Sequence, residues 1–174
     1  LRQPSPSRTL GGGDVLDPLP RRRWRRFDAQ RLAQLQTLRA GSPEERLLGA
    51  AVRRPLLSER DLLRAAGLDE ETARETLAAL VAAGALRTVA PEGGEPLLLA
   101  LDTWGSLLQT LRDSLGAYHR SYPLRRGAPR GEMRRTLQSS LPQVELSTRT
   151  ANALLAGAEA AGALAGDEQA VWLL

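Results

Sequence analysis

The chain reads Ala82-Ala83-Gly84-Ala85-Leu86 and, about 78 residues later, Ala160-Ala161-Gly162-Ala163-Leu164. In both copies an alanine-rich helical pattern stops at the glycine, and an apolar segment with strand-like character follows. A repeat of this length indicates two copies of one structural unit. A length of 174 residues allows two small domains, so the repeat predicts a tandem arrangement.

The first copy carries the signals of three helices followed by a β-hairpin. Residues suited to helix N-caps open the three patterns, and glycines close the second and the third. The predicted helices begin at Ser42, Ser58 and Asp69, and end at about Arg53, Gly67 and Gly84. Apolar segments at 86–89 and 97–101 flank a turn containing Pro and Gly, which predicts a hairpin. Three helices and a hairpin make a winged helix.

The second copy repeats this order of elements. The predicted helices run from Asp102 to about Tyr122, over 129–137 and over 147–162, and residues 164–174 supply two wing strands. Alanine and leucine dominate the apolar residues, and both favour helices. We therefore predict a mostly α fold of the α+β class with two winged helices in tandem.

Residues 1–26 differ from the rest of the chain. They are rich in Pro, Gly and Ser and lack helical periodicity, which predicts loop or short strand. After Phe27, leucines at positions 32, 35 and 38 return at helical spacing. The predicted divisions of the chain are 1–26, 27–101 and 102–174.

Composition argues against several functional classes. The chain has no cysteine and one histidine, so disulfides and metal sites of these residues are not expected. Gly11-Gly12-Gly13 lacks the preceding strand and the Gly-Lys-Ser/Thr ending of a phosphate-binding loop. His119 has no neighbouring nucleophile with which to form a catalytic triad. We expect neither an enzyme nor a cofactor in this chain.

The hydropathy pattern predicts a protein that does not enter membranes. No apolar run is long enough for a membrane span, and the first residues lack the pattern of a signal peptide. A cytoplasmic location and a monomeric state are expected.

All 24 basic residues are arginine, and they are unevenly distributed. Residues 1–26 hold seven Arg against two Asp, and residues 120–135 hold six Arg against one Glu. Two basic patches on an otherwise acidic protein indicate contacts with a polyanion. The candidate RNA-binding residues are His119, Arg120, Tyr122, Arg125, Arg126, Arg130, Arg134 and Arg135 in the second patch, and Arg21, Arg22 and Arg23 in the first.

Both patches also have a structural interpretation. Arginines beside a tyrosine in a proline-containing loop suit phosphate and stacked-base contacts. The same arginines equally suit pairing with Glu132 and the acidic helices, and the first patch suits a basic linker. His119 either caps a helix or contacts a phosphate or base. Trp24, Trp104 and Trp172 each lie among apolar neighbours and are predicted core residues.

Two stretches resemble one protein family. Residues 118–127, Tyr-His-Arg-Ser-Tyr-Pro-Leu-Arg-Arg-Gly, followed by Glu132-Met133-Arg134, resemble a signature of the winged-helix region of SelB, the selenocysteine-specific elongation factor family. Residues 2–13, which include Gly11-Gly12-Gly13, together with residues 15–18, resemble the end of the family's third, elongation-factor-Tu-like barrel. The two motifs stand in the family's order.

The resemblance implies a protein that carries selenocysteinyl-tRNA to the ribosome with GTP and Mg²⁺, and whose winged-helix arm reaches a hairpin in the mRNA. Residues 1–26 are then expected to be the end of the β-barrel domain and a basic linker. The family's GTPase motifs have no counterpart in this sequence, so GTP hydrolysis is not expected of it. The resemblance leaves open whether these two winged helices contact the hairpin themselves.

Two other classes remain in view. A winged-helix transcription regulator would insert its third helix into a DNA major groove. Residues 69–75 are acidic and residues 147–162 hold one arginine, which opposes this alternative. A purely structural interaction module is favoured if carboxylates saturate Arg125, Arg126 and Arg130.

Overall fold

A computed structural model describes residues 2–4, 7–9, 12 and 25–174. The chain divides into two compact units, Leu1–Ser42 and Pro43–Leu174. In the first unit, strands β1 (Arg2–Pro4) and β2 (Ser7–Thr9) pair antiparallel. Helix α1 (Ala29–Ala40) begins after Asp28, whose carboxylate accepts the N–H of Arg31 at 2.9 Å. The assignment to a barrel and the three domain limits stay predictions.

The first winged helix lies in the second unit. Its elements are α2 (Pro43–Arg53), β3 (Leu57–Ser58), α3 (Glu59–Ala66), α4 (Glu70–Ala82), β4 (Leu86–Val89) and β5 (Leu97–Ala100). Ser58 Oγ accepts the N–H of Asp61, and Asp69 Oδ1 accepts the N–H of Thr72. Gly67 ends α3 in the left-handed region, with φ of 63°. The helix boundaries predicted from these caps are confirmed.

The second winged helix follows without a loop. Its elements are α5 (Leu101–Ser121), β6 (Ala128–Pro129), α6 (Arg130–Ser140), α7 (Thr148–Ala160), β7 (Ala165–Gly166) and β8 (Ala170–Trp172). Ser147 Oγ caps α7 by accepting the N–H of Thr150. Helix α6 extends beyond the predicted limit at residue 137, because buried Leu137 and Leu141 hold its last turn against the core.

Each winged helix has a three-stranded antiparallel sheet, in the order β3-β5-β4 and β6-β8-β7. The wing hairpins β4-β5 and β7-β8 were predicted. The first strand of each sheet was not, because two residues are too short to show any periodicity. The predicted class, mostly α with small antiparallel sheets, is confirmed.

Strand β5 contributes to two hydrophobic cores at once. Leu98 packs in the core of the first winged helix, whereas Leu99 packs with the helices of the second. Successive residues of a strand point to opposite faces, so the sheet of the first winged helix has both faces covered. The apolar run Leu97–Ala100 is typical of such a strand. The two winged helices therefore share packing within one compact unit.

Candidate nucleic-acid interface

The second basic patch spans the end of α5, the loop 122–127, and helix α6. Helices α5 and α6 pack together, and the hydroxyls of Ser114 and Thr136 lie 3.3 Å apart between them. Met133 on α6 is fully buried in the core of the second winged helix. The arginines of the patch therefore extend from two helices whose relative position is set by packing.

Tyr118 holds the loop to α5. Its ring is buried, and Arg125 Nη1 donates a hydrogen bond to its hydroxyl at 2.9 Å. The guanidinium carbon of Arg125 also lies 4.8 Å from the centre of the Tyr122 ring. The hydrogen bond to Tyr118 raises the pKa of Arg125, whose charge is permanent in any case. Arg125 is thus fixed by two aromatic residues and not by a carboxylate.

Arg126 is fixed in a similar way by the wing. Its guanidinium carbon lies 4.0 Å from the centre of the Trp172 ring, on strand β8. The next residue, Gly127, allows the loop to approach β8, because a Cβ there would lie 2.5 Å from the carbonyl oxygen of Val171. Trp172 is only partly buried, so the prediction of a core tryptophan holds for Trp104, which is buried, better than for Trp172.

Arg130 has a structural role. Its Nη1 donates to Glu159 Oε1 on α7 at 2.9 Å and to the carbonyl of Asp167 at 2.7 Å. Backbone N–H groups of Ala170 and Gln169 lower the pKa of the Asp167 carboxyl, and nearby Arg126 and Arg130 act in the same direction. These contacts join the start of α6 to the end of α7 and to the turn of the wing.

The remaining arginines of the patch face solvent to differing extents. Arg120 and Arg135 are exposed and Arg134 is partly buried. Together with Arg126 we call them the open arginines, because within the described part of the chain none forms an ion pair with a carboxylate. His119 is partly buried, with its ring edge-on to Tyr118 at 6.4 Å between centres.

A purely structural module would require carboxylates to pair with Arg125, Arg126 and Arg130. Only one of these three arginines has such a partner in the described residues. Arg130 pairs with a carboxylate, whereas Arg125 and Arg126 are held by aromatic residues. The site residues predicted in the first patch, Arg21, Arg22 and Arg23, lie outside the described residues, as does Trp24, which was predicted to be a core residue.

The third helices do not have the surfaces that a DNA groove requires. Helix α7 packs toward the first winged helix, where Arg87 donates to the carbonyl of Gly157 at 3.4 Å and stacks on Trp104. Its exposed stripe holds one arginine, Arg149. On α4, the exposed first turn is acidic, and Arg74 is paired with Glu70. The transcription-regulator alternative is not favoured.

Two contributors to the site were missed by the sequence analysis. Trp172 was assigned to the core, and Glu159 was not considered. Both lie far along the chain from the arginines they contact, so no local pattern links them. The sequence did offer one indication for Trp172, because a tryptophan in a predicted wing strand can pack one side of its ring and leave the other accessible.

The described residues contain no group of three or more His, Asp or Glu side chains placed to hold a metal ion. Within the same residues, every helix is too short or too polar to cross a bilayer.

Part of the chain matches the sequence model of a known protein family. Residues 112–173 match the sequence model of the family described as "Elongation factor SelB, winged helix". The match runs from the second half of α5 to Leu173, directly after β8, and so covers the loop and the open arginines. No curated protein matches the chain.

Proposed function

We propose that this chain is part of the winged-helix arm of a selenocysteine-specific elongation factor and binds RNA on the ribosome, because residues 112–173 match the sequence model of the SelB winged helix. The observation that carries the proposal is the set of open arginines on α5, α6 and the loop between them. Guanidinium groups without carboxylate partners are available to phosphates.

The proposed role is binding and not catalysis. The winged helix of SelB is non-catalytic, and the partner that we propose is the selenocysteine-insertion hairpin of the mRNA, with the ribosome and selenocysteinyl-tRNA engaged through the whole factor. We further propose that this chain acts in the cytoplasm as a monomer, and that it needs no cofactor of its own. The GTP and Mg²⁺ of the family belong to another part of such a factor.

The experiment is a binding titration of the chain against labelled hairpin RNA and against duplex DNA of equal length, across a series of salt concentrations. We expect tighter binding to the hairpin, with a salt dependence that reports the number of phosphates contacted. Equal affinity for RNA and DNA, or no binding to either, would overturn the proposal.

A pair of charge-matched variants localises the interface. Replacing Arg120, Arg134 and Arg135 by Gln removes three open arginines, whereas replacing Arg60, Arg64 and Arg74 by Gln removes three from the first winged helix. We expect the first variant to lower the slope of log affinity against log salt by about 0.7 to 0.9 for each phosphate that the protein no longer neutralises. The second should leave the slope unchanged, and equal slopes in both variants would contradict the proposed surface.

A further inference from the structure

Arg125 and Arg126 differ from the other arginines of the patch in what holds them. Arg125 is held by a hydrogen bond to Tyr118 and by the ring of Tyr122. Arg126 is held by the ring of Trp172. Both residues are exposed and neither pairs with a carboxylate in the described residues. Stacking orients a guanidinium but leaves its N–H donors available at the edge of the plane.

We propose that Arg125 and Arg126 are the positioned phosphate contacts of this surface, each oriented by an aromatic ring to meet a phosphodiester of an RNA backbone. The proposal rests on the RNA-binding function proposed above. It adds that Arg125 and Arg126 contribute a fixed orientation of the guanidinium as well as positive charge. A guanidinium that is already oriented loses less conformational entropy on binding than a free side chain.

Neighbouring acidic groups do not occupy these two guanidiniums. Asp167 lies near Arg126, but its Oδ1 accepts the backbone N–H groups of Gln169 and Ala170 at 2.9 and 2.8 Å. Glu132 is the smallest of the influences that raise the pKa of Arg125, and the two form no ion pair within the described residues. The loop itself is held in place, since Gly127 packs against Val171 and the N–H of Arg125 donates to the carbonyl of Tyr122 at 3.0 Å.

The distinguishing test is substitution by lysine, which keeps the charge but removes the stacked, forked geometry. We expect Arg125→Lys with Arg126→Lys to weaken hairpin RNA binding about tenfold, nearly as much as the corresponding double glutamine variant. The control, Arg60→Lys with Arg64→Lys, should bind as the unmodified chain does. Full retention of affinity in the 125/126 lysine variant would overturn the inference while leaving the RNA-binding function intact.

Two further measurements keep the test decisive. Urea unfolding of each variant separates weaker binding from weaker folding. Tyr122→Leu, at an exposed residue, removes the ring beside the Arg125 guanidinium without removing charge, and leaves the hydrogen bond of Arg125 to Tyr118 in place. We expect it to weaken binding several-fold, whereas unchanged affinity would count against the inference.

If no RNA binds, the function fails and the two residues are tested separately by titrating tripolyphosphate and observing the arginine side-chain N–H signals by NMR. Shifts largest at Arg125 and Arg126 would support the phosphate sites, and shifts no larger than those of Arg60 would overturn them.

Discussion

The guanidinium of Arg130 lies 2.9 Å from the carboxylate of Glu159, and this ion pair joins the first turn of α6 to the last turn of α7. The two side chains are 19% and 26% exposed. Since Arg130 also donates to the carbonyl of Asp167, one side chain ties two helices and the wing together.

Removal of this arginine should destabilise the fold. We expect Arg130→Ala to lower the free energy of unfolding by about 1–3 kcal/mol, because it leaves a partly buried carboxylate and a carbonyl without their donor. Arg74→Ala breaks an exposed ion pair with Glu70 and should change stability by less than about 0.5 kcal/mol. Urea denaturation measures both. Equal losses in the two variants would show that the Arg130 pair is no stronger than a surface pair.

Gly127 should not tolerate a side chain. A Cβ at this position would lie 2.5 Å from the backbone oxygen of Val171, so Gly127→Ala is expected to cost about 1–3 kcal/mol of stability. Gly105 provides the control with the opposite sign. It lies within helix α5, where a Cβ would meet no atom within 4 Å apart from its chain neighbours and the nearby helix backbone. Gly105→Ala should therefore stabilise the fold by about 0.5–1 kcal/mol. Thermal or urea unfolding measures both changes in stability. A Gly127→Ala variant as stable as the unmodified chain would contradict the close approach of residue 127 to Val171.

Stability should depend on pH through Asp167. Hydrogen bonds from the N–H groups of Ala170 and Gln169 lower the pKa of its carboxyl below the ordinary value of 3.8. A lowered pKa in the folded state means that the stabilisation is complete above the unfolded pKa and is lost as the pH falls through the folded one. The difference in unfolding free energy between the unmodified chain and Asp167→Ala should therefore be constant near neutrality and shrink below about pH 4.

Asp69, whose carboxylate accepts the N–H of Thr72, also has a lowered pKa and should behave in the same way. Urea unfolding from about pH 2.5 to about pH 7 measures both effects. A difference that grows as the pH falls would contradict the direction assigned to either carboxyl.

The two winged helices should unfold together. Leu99 on β5 is fully buried against the second winged helix, while its neighbour Leu98 lies in the core of the first. Leu99→Ala should lower stability by about 2–5 kcal/mol. Amide hydrogen exchange should then accelerate at Leu62 in α3 as well as at Leu154 in α7. Faster exchange in α7 alone would show that the two cores open independently.

Much of the fold could be predicted because its signals are local. Ser58 and Asp69 make the helix caps that their positions suggest, and Gly67 adopts the left-handed conformation that ends a helix. Strands β3 and β6 could not be predicted, since two residues carry no period and their pairing is made by β5 and β8, tens of residues away. Local pattern predicts elements, but pairing is a property of the assembled sheet.

For the candidate site the division is sharper. The sequence by itself determined the clustering of arginines at 120–135 and the resemblance to SelB, because both are properties of residue order. Only the tertiary structure decided that Arg130 pairs with Glu159, that Arg126 stacks on Trp172, and which arginines have no carboxylate partner in the described part of the chain. The physical reason is that the interactions of a guanidinium depend on distance in space and not on distance along the chain. The partners of Arg130 and Arg126 lie on α7 and β8, which come near these arginines only when the chain folds.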